Sequence, residues 1–213
     1  MGDPVIIFGA YGLGKVVLEI FQKNNIVVYG FLDDDHALQG QIIDGVPVLG
    51  NTAEEQYLDL IGEQCDVFVA VEQQAKRQRL VTMLHKRNKT VPVNAIHPSA
   101  IIATSAVLGY GNLINTGVSL GAGASLDSHC TLHTRVTVEH DAVIKEFVQI
   151  GAGSTIGAGA QLDNSVFVGA GATIVAGVIV GKAASIGAGA VVLTNVEAGT
   201  TVLGNPAVPT ERK

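Results

Sequence analysis

The chain has 213 residues, with 13 Lys and Arg against 19 Asp and Glu and a formal net charge of −6. That sign argues against a nucleic-acid partner, and the length holds two small domains or one large one. No apolar run reaches membrane-spanning length, Val5–Phe8 is too short for a signal peptide, and two cysteines make no disulfide framework, so a reduced, soluble, cytoplasmic protein is expected.

In chain order, Val5-Ile6-Ile7-Phe8 predicts a buried strand and Gly9-Ala10-Tyr11-Gly12-Leu13-Gly14 a tight loop. A helix should follow, with Leu13, Val16, Val17, Ile20 and Phe21 spaced i, i+3, i+4, i+7 and i+8. Val27–Leu32 predicts a second strand ending at Asp33-Asp34-Asp35, and Thr52-Ala53-Glu54-Glu55 a capping box that opens a helix. Asp66–Val71 predicts a third strand, and 74–88 a third helix carrying Leu80, Met83 and Leu84. The pattern is an alternating α/β module of Rossmann type, smaller than a full dinucleotide domain. Its loop is G-x-x-G-x-G rather than G-x-G-x-x-G. Amides at the helix N-terminus could hold a diphosphate, or the glycines could serve only close packing of strand and helix; the loop alone leaves both open.

From Leu108 to Val192 every sixth residue is Leu, Ile or Val, fifteen times without a slip. Two residues before each stands a small or slim side chain, and glycine often follows, as in Ile150-Gly151 and Ile156-Gly157. An α-helix cannot keep a period of six on one face, whereas a hexapeptide-repeat β-helix does. Three hexapeptides make one triangular coil, so fifteen give five coils and a column about 24 Å tall at roughly 4.8 Å per coil. Ile102 and Ile96 extend the period backwards. The aliphatic should face the axis, Cys130 should fill a slim inward slot, and the glycine after the aliphatic should supply positive φ at the corner. The expected organisation is 1–97 as a Rossmann-like module, which the resemblance described next makes nucleotide-sugar-binding, and 98–213 as a left-handed parallel β-helix.

The combination resembles the hexapeptide-repeat sugar O- and N-acetyltransferases, similar to the sialic-acid O-acetyltransferases and the PglD-type N-acetyltransferases of the bacillosamine pathway. Phe8-Gly9-Ala10-Tyr11-Gly12-Leu13-Gly14-Lys15, Phe31-Leu32-Asp33-Asp34, His97-Pro98-Ser99-Ala100, Val138-Glu139-His140-Asp141 and Val202-Leu203-Gly204-Asn205-Pro206-Ala207 carry the resemblance. It implies His140 as general base and Asp141 as the acidic neighbour that orients it. The chemistry asks for such a pair, because an amine or hydroxyl attacking a thioester must lose a proton while the thioester needs no enzyme nucleophile. His140 stands two residues past Val138, off the axis. The resemblance also implies acetyl-coenzyme A as co-substrate in a groove between β-helices of a homotrimer, at Gln149, Ala170 and Ala188. Gln149 stands where close relatives carry histidine. Arg135, Lys145, Lys182, Arg212 and Lys213 are the cations available to a 3′-phosphate.

For the acceptor the resemblance implies Tyr11, Gly12, Leu13, Asp33, Asp34 and Glu72, with His133 where relatives often carry asparagine. Leu13 replaces a common histidine and Glu72 a common glycine, while Arg77 matches. His129, His133 and His140 fall at different repeat positions, so no three-histidine cage and no metal is expected. The expected reaction is acetyl transfer to the amine of a UDP-linked 4-amino-4,6-dideoxy sugar, giving a diacetylated bacillosamine donor for bacterial surface glycans. The rivals are O-acetylation of sialic acid or another sugar, and a non-catalytic nucleotide-sugar-binding scaffold. Neither nucleic acid nor membrane insertion is expected.

Overall fold

The computed structural model describes residues 3–88 and 90–210, which fall into two compact units, Met1–Pro98 and Ser99–Lys213. The first unit runs β1 (Val5–Phe8), α1 (Leu13–Lys23), β2 (Val28–Leu32), β3 (Ile42–Ile43), β4 (Val46–Gly50), α2 (Glu55–Leu58), β5 (Asp66–Val69), α3 (Gln74–Asn88) and β6 (Ala95–Ile96). Its sheet has the order β3-β4-β2-β1-β5, parallel throughout except for the β3–β4 pair. All four residues of the central β1 are buried, as an unbroken apolar run demands when both faces of a parallel sheet are covered. Along α1, Leu13, Val17, Leu18, Ile20 and Phe21 are buried, and the Phe21 ring meets Phe68 edge-on at 6.0 Å. Along α3, Arg77, Leu80, Val81 and Leu84 form the inward stripe, while Met83 is only half-buried.

Three local expectations are corrected. The β3–β4 hairpin was not expected, although Asp44 and Gly45 carry it with φ values of 48° and 84°. Residues 52–55 form no capping box. Glu54 precedes a helix of 4 residues with no side-chain cap, and the Thr52 hydroxyl donates instead to Asp34 at 2.6 Å. The strand that opens at Asp66 ends at Val69 rather than Val71, with a last bond to β1 from the Ala70 N–H to the Phe8 carbonyl at 2.8 Å.

The second unit is a left-handed parallel β-helix. Two-residue strands recur every six residues from Ile101–Ile102 to Val191–Val192, and each as far as Thr173–Ile174 pairs in parallel with the strand 18 residues on. A first face stacks Ile101, Ser119, Thr137, Thr155, Thr173 and Val191. A second stacks Val107, Ser125, Val143, Gln161 and Ile179, and a third Leu113, Thr131, Gln149, Phe167 and Ser185. The period-six aliphatics from Ile114 to Val192 are all buried, each contributing about 1.5–3 kcal/mol, while Ile102 and Leu108 are only half-buried at the open end. Polar residues in the slim inward slots bond to the backbone of other coils: Asn112 Oδ1 accepts the Cys130 N–H at 2.8 Å, and the Ser154 hydroxyl donates to Gly169 at 2.9 Å. Cys130 fills its slot as expected, its thiol 3.0 Å from the Lys145 carbonyl oxygen.

The glycines obey a different logic from the one expected. Those directly after the aliphatic are not at positive φ; that conformation falls two residues later, as at Gly153 (φ 69°). What Gly151 provides is room: a Cβ there would lie 2.4 Å from the Ala170 nitrogen of the next coil. Several corner residues with positive φ are not glycine, Arg135 and Asp141 among them, both at 58°.

Candidate active site

At the carboxyl ends of β1, β2 and β5 the first unit holds a cavity of about 290 Å³, lined by Gly9, Tyr11, Gly12, Asp33, Asp34, Thr52, Ala70, Val71, Glu72 and Lys76. Such crevices are where open α/β sheets bind ligands. The loop glycines divide their work. A Cβ at Gly9 would lie 2.6 Å from the Ala70 carbonyl oxygen, and one at Gly14 would lie 2.1 Å from that of Gly9. These two are packing glycines. Gly12 instead has φ 51° and opens α1 with no side-chain cap; the Gly14 N–H turns back to the Tyr11 carbonyl at 2.9 Å, and the helix N-terminus keeps its partial positive charge.

Five of the six expected acceptor residues of this unit line the cavity, and Leu13 does not: as the first residue of α1 its side chain is buried in the core. Tyr11 is 64% exposed, with the Lys15 ammonium 5.0 Å from its ring centre. Asp33 braces the loop rather than standing free, since its carboxylate accepts the N–H groups of Ala10 at 2.7 Å and Asp35 at 2.9 Å. Asp34 accepts the N–H and hydroxyl of Thr52 at 3.0 and 2.6 Å and pairs with the Lys76 ammonium at 2.9 Å. Partial burial pushes the Asp34 carboxyl up, but the Thr52 hydrogen bonds and the Lys76 charge outweigh it and hold the group below its usual range. Glu72 is exposed, its carboxylate 3.4 Å from where a Gly12 Cβ would stand. The buried Arg77 guanidinium donates to the carbonyls of Val71 and Glu72, so it holds the end of the strand segment. Thr52 and Lys76 escaped the sequence reading. They lie 18 and 42 residues from Asp34, and only the sheet order brings them to it.

In the β-helix, His140 and Asp141 occupy the corner that follows the first face. Their side chains are 62% and 73% exposed, with His140 Nδ1 3.0 Å from Asp141 Oδ2. A carboxylate only accepts, so Nδ1 carries the proton and donates, which leaves Nε2 with a lone pair turned to solvent. The backbone fixes this pair from both neighbouring coils. The Asp141 N–H donates to Ala122 at 3.0 Å, and the His140 carbonyl accepts the Gly159 N–H at 2.9 Å. Beneath them a Cβ on Gly121 would meet the His140 nitrogen at 2.6 Å.

His133 and Gln149 come together on the third face, their Nε2 atoms 3.5 Å apart. Ala170 and Ala188 stack one above the other at the corner after that face, joined by the Gly189 N–H donating to the Ala170 carbonyl at 2.8 Å. Beside them Gly151 and Gly169 leave a smooth strip of backbone, since a Cβ on either would strike Ala170 or Ala188. His140 is therefore at one corner of the prism and the Ala170–Ala188 strip at another. His129 stacks on Phe147 at 4.9 Å, at the remaining corner. Among the described residues no three His, Cys, Asp or Glu side chains come together as metal ligands. Arg212 and Lys213 lie outside the described residues. No described helix is long and apolar enough to cross a membrane.

The family model of the PglD N-terminal domain matches residues 4–84. A histidine-to-alanine mutant of GDP-perosamine N-acetyltransferase from Caulobacter crescentus, solved with CoA and GDP-perosamine, is 28% identical, with a TM-score of 0.91 over 100% of this chain and 99% of that one. The acetyltransferase domain of PglB from Neisseria gonorrhoeae, solved with acetyl coenzyme A, is 30% identical, with a TM-score of 0.88 over 99% of this chain and 100% of that one. WeeI from Acinetobacter baumannii is 26% identical, with a TM-score of 0.86 over 97% and 99% of the two chains. No curated protein matches the chain in sequence. Matched over almost its whole length at this identity, and built as an α/β module followed by a left-handed parallel β-helix, the chain belongs to the PglD-like family of hexapeptide-repeat sugar acetyltransferases and is an acetyltransferase.

Proposed function

We propose that the enzyme moves an acetyl group from acetyl-coenzyme A to the amine of a nucleotide-linked 4-amino-4,6-dideoxy sugar. The observation that carries this reading is the exposed His140–Asp141 pair with Nδ1 committed to the carboxylate. The amine attacks the thioester carbonyl directly, Nε2 of His140 takes the amine proton, and the C–S bond breaks as the coenzyme leaves and regains a proton as the free thiol. Asp141 holds the ring and favours the imidazolium that forms. Gln149, Ala170 and Ala188 bound the strip for the coenzyme, where exposed backbone and small side chains suit an extended pantetheine arm. The coenzyme's 3′-phosphate has Arg135, Lys145 and Lys182 within the repeats to draw on.

The N-terminal cavity takes the nucleotide, with its diphosphate at the open amides of α1 and Tyr11, Gly12, Asp33, Asp34 and Glu72 around it. Gly12 supports the diphosphate reading of the loop, since a Cβ there would meet nothing closer than the Glu72 carboxylate at 3.4 Å. His133 lies beside Gln149, suited to contact the acceptor sugar near the coenzyme strip. The same reading includes a homotrimer, supported by the corners: His140 and the Ala170–Ala188 strip sit on different edges of one prism, so a neighbouring copy brings the two together. The GDP-perosamine N-acetyltransferase relative, solved with CoA and GDP-perosamine, favours an amine acceptor.

The test is free-thiol release from acetyl-coenzyme A with UDP-4-amino-4,6-dideoxy-N-acetylglucosamine, with GDP-perosamine, and with the matching 4-hydroxy sugars. Release that requires the amine supports the reading, and the better of the two amines identifies the nucleotide. Release with hydroxyl acceptors alone moves the assignment to O-acetylation. No release with any acceptor leaves the scaffold reading.

A further inference from the structure

The cavity of the first unit contains one cation that the expected acceptor contacts do not include. Lys76 reaches it from the first turn of α3, 33% exposed, with its ammonium 2.9 Å from Asp34 Oδ2. The other oxygen of Asp34 is held by the N–H and hydroxyl of Thr52 at 3.0 and 2.6 Å. Thr52 thus fixes Asp34, and Asp34 fixes Lys76. The position of that ammonium along a bound nucleotide follows from the fold. In a doubly wound sheet the diphosphate goes to the glycine loop and helix N-terminus after the first strand, and the acidic end of the second strand meets the nucleoside. Lys76 is tethered at the second place, not the first. Glu72, by contrast, stands over Gly12 on the loop side.

The geometry points to Lys76 as a residue that selects the nucleobase, a role that rests on the nucleotide-sugar reading of this cavity. An ammonium has three N–H donors and no acceptor. One goes to Asp34, which leaves two for the ligand. A base with a ring carbonyl at the position they meet, as in uracil, thymine and guanine, offers an acceptor. Cytosine and adenine place an exocyclic amine there, a second donor facing a donor. Asp33 is oriented toward the backbone instead, each of its oxygens accepting one N–H, from Ala10 and from Asp35. The pocket therefore takes keto-base nucleotides and turns away amino-base ones, whatever the sugar.

Calorimetric titration of the full chain with UDP, GDP, CDP and ADP tests this, comparing wild type with Lys76→Met and Lys76→Arg. The wild type should bind the tighter of UDP and GDP at least about tenfold more tightly than CDP and ADP. Lys76→Met should bring each keto base within about threefold of its amino counterpart, UDP of CDP and GDP of ADP, and Lys76→Arg, also a donor without an acceptor, should restore the ranking. If Lys76→Met weakens all four nucleotides equally, the lysine acts on the diphosphate or on the fold, and the base-selecting role is overturned while the nucleotide reading stands. If the folded wild type binds none of the four, the nucleotide reading of the cavity falls, and this role with it.

Discussion

Asp141 lies directly over Gly123: a methyl group added to Gly123 would come within 2.5 Å of the Asp141 carboxylate. The two residues are one coil apart at the same corner, so the repeat itself provides the space in which the carboxylate turns toward His140.

Gly123→Ala should therefore cost more in catalysis than in folding. Gly123 has φ 70°, where alanine is strained by about 1–2 kcal/mol, and the added methyl pushes the flexible Asp141 carboxylate off the imidazole. We expect kcat to fall by about tenfold or more with KM for acetyl-coenzyme A unchanged and circular dichroism native. Wild-type turnover in the folded variant would show that Asp141 does not orient the base.

Two glycines two residues apart should respond differently to the same substitution. At Gly151 the new Cβ would meet backbone 2.4 Å away, which cannot move without parting two coils, whereas at Gly153 nothing lies within 4 Å and only the φ of 69° resists. Gly151→Ala should lose about 2–3 kcal/mol and Gly153→Ala about 1 kcal/mol, read from urea unfolding. Equal losses would mean that the coils are not packed as tightly as described.

Thr52→Val should flatten the acid limb of stability. The Asp34 carboxyl is held below its usual value in the folded chain, so its contribution is present at pH above about 4 and is lost as pH falls through the lowered value. Removing the hydroxyl raises that value toward the unfolded one. The variant should lose about 1 kcal/mol at neutral pH, a small effect because Asp34 is partly exposed, and converge with wild type in strong acid. Parallel curves at every pH would show that the bond to Asp34 does not set its titration.

The β-helix was legible because one constraint repeats. Each inward aliphatic from Ile114 to Val192 is buried, and a register slip at any of them would expose it. The His140–Asp141 pair was legible because its partners are sequence neighbours. The N-terminal cavity was legible only in outline. Asp33 and Asp34 were found, but the groups that occupy their oxygens come from Ala10, Thr52 and Lys76, brought in by strand order. The β3–β4 hairpin did have a local signal in Asp44-Gly45, a dipeptide suited to the positive φ of a two-residue turn. The role of a glycine directly after an aliphatic, as at Gly151, had none, since its closest contact lies in the next coil.

The proposed role of His140 is to take the proton of the attacking group. Its most direct test is the rate of free-thiol release from acetyl-coenzyme A by wild type and His140→Ala, each saturated with the best amino-sugar acceptor. Cys65 and Cys130 are both buried and should add little background. A fall of about 100-fold or more in kcat, with the variant folded and coenzyme binding retained, is the predicted result. Undiminished release by the variant would remove His140 as the base and contradict the account.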